Sequence, residues 1–155
     1  ATDILSLACL TAIVPAAFRD PARLSSGAEM IALARWFRKE GRLEESLALM
    51  RQALTRRVDE ALVFETLWHV AELERKLERH DAALAAWSEL SAIRNPWQSQ
   101  AYERLAIHYE HREKNYAMAL EMTCAALALE ETEELRKREA RLRLRVSKPK
   151  SGRLL

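Results

Sequence analysis

The chain has very few of the residues that interrupt helices. Its 155 residues include only 3 glycines and 4 prolines, and alanine, leucine, glutamate and arginine dominate instead. Sheet proteins need many tight turns, whereas these four residue types have high helix propensity. With 49% hydrophobic and 31% charged residues, the chain can also bury a core, which argues against disorder. The composition therefore predicts a single all-α domain.

Cysteines and long apolar runs are scarce as well. The two cysteines, Cys9 and Cys124, lie far apart in apolar helical patterns, which predicts buried, unreactive thiols and no disulfide framework or CxxC redox motif. No apolar run reaches the roughly 18 residues of a membrane span. The most apolar run, residues 4–18, has no basic segment before it, so no signal peptide is expected. We therefore expect a cytoplasmic location and no membrane partner.

The charge is unevenly distributed along the chain. The formal net charge is +2, but residues 135–155 contain nine lysines and arginines and one acid, Glu139. This segment carries +8 and the remainder −6, so a mildly acidic body is followed by a strongly basic end.

A pair of small residues recurs three times, as Ala34/Ser46, Ala71/Ala83 and Ala106/Ala119. The members of each pair are 12, 12 and 13 residues apart, and successive pairs are offset by 37 and then 35 residues. Two antiparallel helices approach closely where their side chains are small. A two-helix unit with this period is typical of an α-solenoid, although a plain helical bundle with accidental periodicity is the alternative.

Capping patterns give the bounds of the helices. Ser26 and Glu29 have capping-box spacing, Asp59 and Asp81 open two later helices, and Asn95-Pro96 suggests a cap followed by proline at the first helical position. The predicted helices cover, approximately, residues 2–14, 27–40, 43–55, 60–77, 81–93, 96–112, 116–129 and 132–146. In the last, Leu135, Leu142 and Val146 form an apolar stripe among charged residues, as expected of a closing helix.

The repeated residues resemble the tetratricopeptide repeat (TPR) family over residues 27–129. The segment LARWFRKEGRLEESLALMRQAL keeps the small residues Ala34 and Ser46, the aromatic Phe37 and the turn glycine Gly41. The second repeat departs, since Glu74 replaces the aromatic and no glycine marks its turn, and the third has one extra residue between its helices. The resemblance implies a TPR-like superhelix of three helix pairs, with an extra N-terminal helix and a C-terminal capping helix. It predicts three segments: an N-terminal helix and linker at 1–26, a helical repeat domain at 27–146, and a flexible basic tail at 147–155.

Two segments also resemble bacterial YprB-like proteins, which join a ribonuclease-H-like 3′–5′ exonuclease domain to TPR-like repeats. TDILSLACLTAIV looks like the end of the exonuclease fold, and LAIHYEHREKNYAMAL looks like the helical C-terminal region. The resemblance would align Asp3 with the last metal-binding aspartate of the nuclease, although Asp3 also suits the first turn of any helix. The histidine expected upstream is missing, and one aspartate cannot assemble a two-metal centre. We therefore expect no enzymatic activity and no cofactor in this chain.

The TPR register predicts a concave groove that binds a peptide or partner protein. A tryptophan and several cations would face it, which suits acidic peptides; a solvated charged surface is the alternative. The residues that chaperone-binding TPR domains use to hold a terminal carboxylate are not matched, and no small-molecule substrate is expected. The candidate partner-binding residues are Arg35, Arg38, Trp68, Arg75 and Lys76.

The basic end gives a second functional hypothesis, an accessory region that contacts nucleic acid. Lysine and arginine could pair with phosphates, but no aromatic residue is present there to stack on bases, so such binding would be nonspecific. The alternative is that these basic residues form a helix face that only keeps the chain soluble. The candidates are Arg136, Lys137, Arg141, Arg143 and Arg145.

The HYEH sequence at residues 108–111 is the remaining candidate site. His108 and His111 could share a helix face, but the motif is not HExxH and no third ligand is evident. We therefore expect polar helix positions here and no metal.

Overall fold

A computed structural model describes residues 26–148, and within this range the chain is entirely helical, without strands. The predicted all-α fold is therefore confirmed. The predicted helix at residues 2–14, Asp3, Cys9 and the end of the tail at 149–155 lie outside the described residues. The seven helices are α1 (Gly27–Lys39), α2 (Leu43–Leu54), α3 (Glu60–Lys76), α4 (His80–Ala92), α5 (Gln98–His111), α6 (Tyr116–Leu129) and α7 (Glu133–Ser147).

Side chains at the helix starts satisfy backbone groups that the helix itself leaves open. The Ser26 amide donates to the Glu29 carboxylate at 3.4 Å, within the predicted capping box. The Asn115 side chain accepts from the Met118 amide at 3.1 Å, and the Thr132 hydroxyl accepts from the Leu135 amide at 3.2 Å. These local bonds stabilise the starts of α1, α6 and α7, whereas α2, α4 and α5 begin without a side-chain cap bond.

The Asn95-Pro96 pair does not start a helix, contrary to the prediction. Helix α5 begins at Gln98, two residues later than expected. The Asn95 amide group donates to the carbonyls of Leu90 and Ile93, both at 2.7 Å, and its side-chain oxygen accepts from the Trp97 amide. These bonds hold Asn95 in a turn after α4, so Pro96 precedes the helix instead of opening it.

Residues up to Thr66 and residues from Leu67 onward form two compact units, and the division falls inside α3. In the first unit α1 packs on α2. Both small residues of the first pair are buried, and the Ser46 hydroxyl donates to the Ala34 carbonyl at 2.7 Å. The larger buried side chains of these two helices are Met30, Ile31, Phe37, Leu47, Leu49 and Met50.

The second unit is built by packing consecutive helices, α4 on α5, α5 on α6 and α6 on α7. Short connections between packed neighbours give antiparallel pairs. The small residues of the second and third pairs have no exposed surface, as expected for positions of close helix approach: Ala71, Ala83, Ala106 and Ala119. Trp87 is 4% exposed, so its prediction as a core residue is confirmed.

The turns inside the three helix pairs share one backbone conformation. Gly41, Glu78 and Lys114 all have positive φ, at 75°, 61° and 56°. After α1 the Arg42 amide donates to the Phe37 carbonyl, and after α3 the Arg79 amide donates to the Glu74 carbonyl. This left-handed residue and the bond that follows it form a common helix ending, so Glu78 does in repeat 2 what a turn glycine does in repeat 1.

Helix α7 buries a narrower stripe than the sequence suggested. Leu135 and Leu142 are 3% and 0% exposed, but Val146 is 46% exposed. The prediction of Val146 as part of the stripe is therefore wrong, because only two turns of α7 face the core. None of the helices in the described range has the length and apolar character needed to cross a membrane.

Cys124 is exposed on α6, contrary to the prediction of a buried thiol. Its sulfur lies 3.8 Å from the Glu139 carboxylate of α7. Partial burial of the sulfur and the nearby negative charge raise the pKa of the Cys124 thiol, which lowers the reactive thiolate fraction.

Candidate binding surface

Arg35 and Arg38 are the two predicted binding residues of the first unit. Arg35 on α1 donates to the Glu65 carboxylate at 2.8 Å, and both side chains remain 38% exposed. Arg38 lies in the last turn of α1 and is partly buried. The guanidinium of Arg35 is thus fixed in direction, although an ion pair this exposed adds little stability.

Trp68 is half-buried because another indole covers one of its faces. The rings of Trp68 and Trp97 are stacked, with centroids 5.3 Å apart and planes 13° from parallel. The Arg104 guanidinium lies 5.9 Å from the Trp68 centroid, within the range of a cation–π contact. Sequence reasoning misses Trp97, because the Asn95-Pro96 pattern predicts only that Trp97 lies in a first helical turn and does not indicate a partner on α3.

Arg75 and Lys76, the predicted residues at the end of α3, have different surroundings. The Glu72 carboxylate accepts hydrogen bonds from Arg75 at 3.1 Å and from Arg104 at 3.3 Å, so one carboxylate holds two guanidiniums. Lys76 is exposed, and within residues 26–148 its ammonium has no hydrogen-bond or ion-pair partner. Positions 68, 72 and 75 share a helix face, so α3 presents an indole, then a carboxylate and then a guanidinium.

An open cavity of about 370 Å³ adjoins this end of α3. Cationic and imidazole side chains from α3, α4, α5 and the loop that follows α5 supply most of its lining. Glu78 of the loop after α3, Trp87 and Ile107 also line it. The structure therefore brings Arg75 and Lys76 together with residues that the sequence did not single out. The cationic and imidazole residues are Arg75, Lys76, His80, Arg104, His108, His111 and Arg112.

The five basic candidates of α7 all contact acidic or aromatic side chains of the same unit. Three form exposed ion pairs within or just before α7: Arg136 with Glu131, Lys137 with Glu133 at 2.6 Å, and Arg143 with Glu139 at 2.5 Å. The Arg145 guanidinium lies 5.0 Å from the ring centroid of Tyr116. The fifth, Arg141, reaches α5. The basic segment is thus a helix face whose charges are largely matched by neighbouring groups.

Arg141 binds Glu110, the acidic residue of the HYEH sequence. Its Nε and Nη2 groups donate to the two carboxylate oxygens at 3.0 and 2.9 Å, and Arg138 and His111 lie at 3.6 and 3.7 Å. Glu110 is 1% exposed. Burial raises the pKa of Glu110, but the hydrogen bond and charge of Arg141, with the charges of His111 and Arg138, outweigh it and lower the pKa overall.

The other members of the HYEH sequence do not converge on a metal position. His108 Nε2 lies 3.0 Å from the Glu113 carboxylate, and His111 is largely exposed. Among the residues that the structure describes, no group of three or more histidine, cysteine or acidic side chains is placed to hold a metal ion.

Comparisons with known proteins give no family assignment for the chain. No model of a known protein family matches its sequence, and no curated protein matches it. The proposals below therefore depend on the residues and geometry of this chain.

Proposed function

We propose that the chain is a noncatalytic interaction module that binds a peptide or partner protein through a groove formed by its helix pairs. The observation that carries this proposal is one face of α3, which presents Trp68 and Arg75. Trp97 stacks on Trp68, and Arg104 pairs with Glu72 of the same face. Stacked aromatic rings and arginines are the groups that contribute most often to protein interfaces. This surface supports a TPR-like function, and the cytoplasmic location expected from the sequence is kept as a separate proposal.

The arginines of this face keep hydrogen-bonding capacity for a partner. A guanidinium has five N–H donors, whereas Arg75 and Arg104 both donate to a single oxygen of Glu72, Oε2. Glu72 fixes the directions of both guanidiniums, so less conformational entropy is lost when a ligand binds. The module would hold an extended or helical segment by these donors and by contact with the exposed part of Trp68.

Selection from a random peptide library tests this function. Peptides selected on the purified chain should bind at least about tenfold more weakly to Trp68→Ala, because a central aromatic anchor contributes about 2 kcal/mol or more. Trp36→Ala is the matched control, since Trp36 is an exposed tryptophan of α1. Equal affinities for Trp68→Ala and the unchanged chain, with the helical content intact, would exclude this face as the binding surface.

The accessory role in a ribonuclease-H-like exonuclease remains the alternative, and the contacts of α7 do not favour it. A phosphate would have to compete with the acids that already hold Arg136, Lys137, Arg141 and Arg143. Each broken pair would reduce the gain from releasing counterions. We therefore rank the interaction module above the nucleic-acid role.

A further inference from the structure

The cavity beside the end of α3 has an unbalanced set of charges. Among the residues that the structure describes, four cationic side chains line it, Arg75, Lys76, Arg104 and Arg112, against one carboxylate, Glu78. The imidazoles of His80, His108 and His111 complete the polar lining. Like charges that converge in a concave site focus a positive potential, and an anion is the ligand that such a site attracts.

Two of these cations are not engaged by the protein. Arg75 and Arg104 share Glu72, but within the described residues neither the Lys76 nor the Arg112 side chain has a hydrogen-bond or ion-pair partner. Lys76 ends α3, and Arg112 follows directly after α5. Their positions at helix C-termini favour cations without any ligand, so a purely structural role is the competing explanation.

A neighbouring opening of about 580 Å³ lacks this preference for anions. It shares Glu78, His80, His108 and Arg112 with the cationic cavity, but it adds Asp81 and Glu113 alongside Arg79. Its cations and carboxylates are nearly balanced. The cavity lined by Arg75 and Lys76 is therefore the one expected to attract an anion.

The size and lining of the cationic cavity indicate what kind of anion fits. Its volume of about 370 Å³ is at the lower end of the roughly 300–1,000 Å³ of small-molecule sites, which suits one or two side chains of a longer ligand. Trp87 lines the cavity but is only 4% exposed, so it offers no ring face on which a nucleobase could stack. The half-buried Ile107 supplies apolar surface among the cations, which suits a carboxylate next to an apolar side chain.

We propose that this cavity binds acidic side chains of a peptide, with Lys76 and Arg112 as the principal contacts to its carboxylates. The proposal rests on the function proposed above, because the cavity continues from the Arg75 end of the same α3 face. Charge-assisted hydrogen bonds from an ammonium and a guanidinium to carboxylates are among the stronger polar contacts in proteins. The cavity would thus give the interaction module its preference for acidic partners.

Fluorescence anisotropy with two labelled peptides tests the proposal. One peptide alternates glutamate and leucine, and the other has glutamine in place of every glutamate. At low salt the glutamate peptide should bind the full chain at least about tenfold more tightly, and the double variant Lys76→Gln/Arg112→Gln should lose most of this difference. The matched control is Arg56→Gln/Arg57→Gln, which removes the same charge from an exposed loop and should keep the preference.

Three results would overturn the acidic-peptide site. The first is equal affinity for the two peptides. The second is a lower melting temperature for Lys76→Gln/Arg112→Gln with unchanged peptide affinity, which would assign both cations to the helix ends alone. The third is tighter binding of a single-stranded oligonucleotide of the same charge, lost in the same double variant, which would make the cavity a phosphate site.

The experiments distinguish a failure of the acidic-peptide site from a failure of the proposed interaction module. If library-selected peptides depend on Trp68 but are neutral and unaffected by Lys76→Gln/Arg112→Gln, the acidic preference is wrong and the interaction module stands. If the glutamate peptide depends on Lys76 and Arg112 while Trp68→Ala changes nothing, the cavity stands and the α3 groove is wrong. Circular dichroism of each variant confirms that the compared proteins are folded.

Discussion

Arg79 lies 3.8 Å from the carboxylate of Glu74, and this pair repeats a contact made one helix pair earlier. In the first repeat, 37 residues before, the Arg42 guanidinium lies 4.2 Å from the ring centroid of Phe37. Phe37 and Glu74 are both buried, at 2% and 0% exposure. The second repeat has therefore replaced an aromatic ring with a carboxylate and kept the arginine that covers it.

The two arginines should differ in their contribution to stability. Arg79→Ala removes a cation from a buried carboxylate, which we expect to cost about 1–3 kcal/mol. Arg42→Ala removes a cation–π contact with a neutral ring and an exposed pair with Glu45, and it should cost less because it leaves no buried charge behind. Urea unfolding of both variants measures the difference. A larger loss for Arg42→Ala would show that Arg79 does not compensate the charge of Glu74.

The left-handed turns at Glu78 and Gly41 predict stability changes of opposite sign when glycine is introduced at one position and removed from the other. Left-handed backbone costs a residue with a side chain about 1–2 kcal/mol, and glycine avoids this cost. Glu78→Gly should therefore stabilise the chain by up to about 1 kcal/mol, after the greater freedom of glycine in the unfolded chain is subtracted. Gly41→Ala should destabilise it by about 1 kcal/mol through backbone conformation alone, since an added Cβ at Gly41 meets no atom within 4 Å.

Thermal unfolding of Glu78→Gly and Gly41→Ala checks these signs. Glu78→Ala separates the backbone effect from loss of the carboxylate, because it removes the carboxylate and keeps the strained conformation. If Glu78→Gly is no more stable than Glu78→Ala, the left-handed turn at this position contributes no strain.

The sequence predicted the features that depend on local interactions. Helices α1 to α7 and the buried small residues follow from caps, turn residues and helical periodicity, which act over a few residues. The sequence does not predict the left-handed conformation of Glu78, because glutamate, unlike glycine, is not typical of positive φ. The Asn95-Pro96 error has a similar origin, since Asn95 bonds back to α4 instead of capping α5.

The features that sequence reasoning missed depend on residues far apart in the chain. Trp97 stacks on a residue of α3, and Glu110 receives Arg141 from 31 positions away. No periodicity distinguishes Glu110 from an exposed glutamate, so only packing of α7 on α5 shows why it is buried. The basic segment looked like a surface for phosphates for the same reason, because its acidic partners are provided partly by tertiary structure.

The Glu110–Arg141 pair should make stability depend on acid pH. The pKa of Glu110 is lowered in the folded chain, so the ionised carboxylate stabilises the fold above the ordinary glutamate pKa of about 4.3. This contribution is lost as the pH falls through the lowered pKa, because the unfolded chain then binds the proton more readily. Glu110→Gln should accordingly flatten the decrease in unfolding free energy between about pH 5 and pH 3.

Arg141→Gln should change the pH dependence in the opposite direction. It leaves a buried carboxylate without its main cation, so we expect a loss of about 1–3 kcal/mol at pH 7. Burial is then opposed only by the charges of Arg138 and His111, so the pKa of Glu110 should rise and its carboxylate should protonate more readily. The loss of unfolding free energy relative to the unchanged chain should therefore shrink as the pH falls to about 4, in urea titrations at a series of pH values.

Arg143→Gln, which breaks an exposed pair on the same helix, is the control and should show a small loss. A loss for Arg141→Gln that stays constant over this range would mean that Glu110 does not titrate with the fold, and that its contact with Arg141 contributes by packing alone.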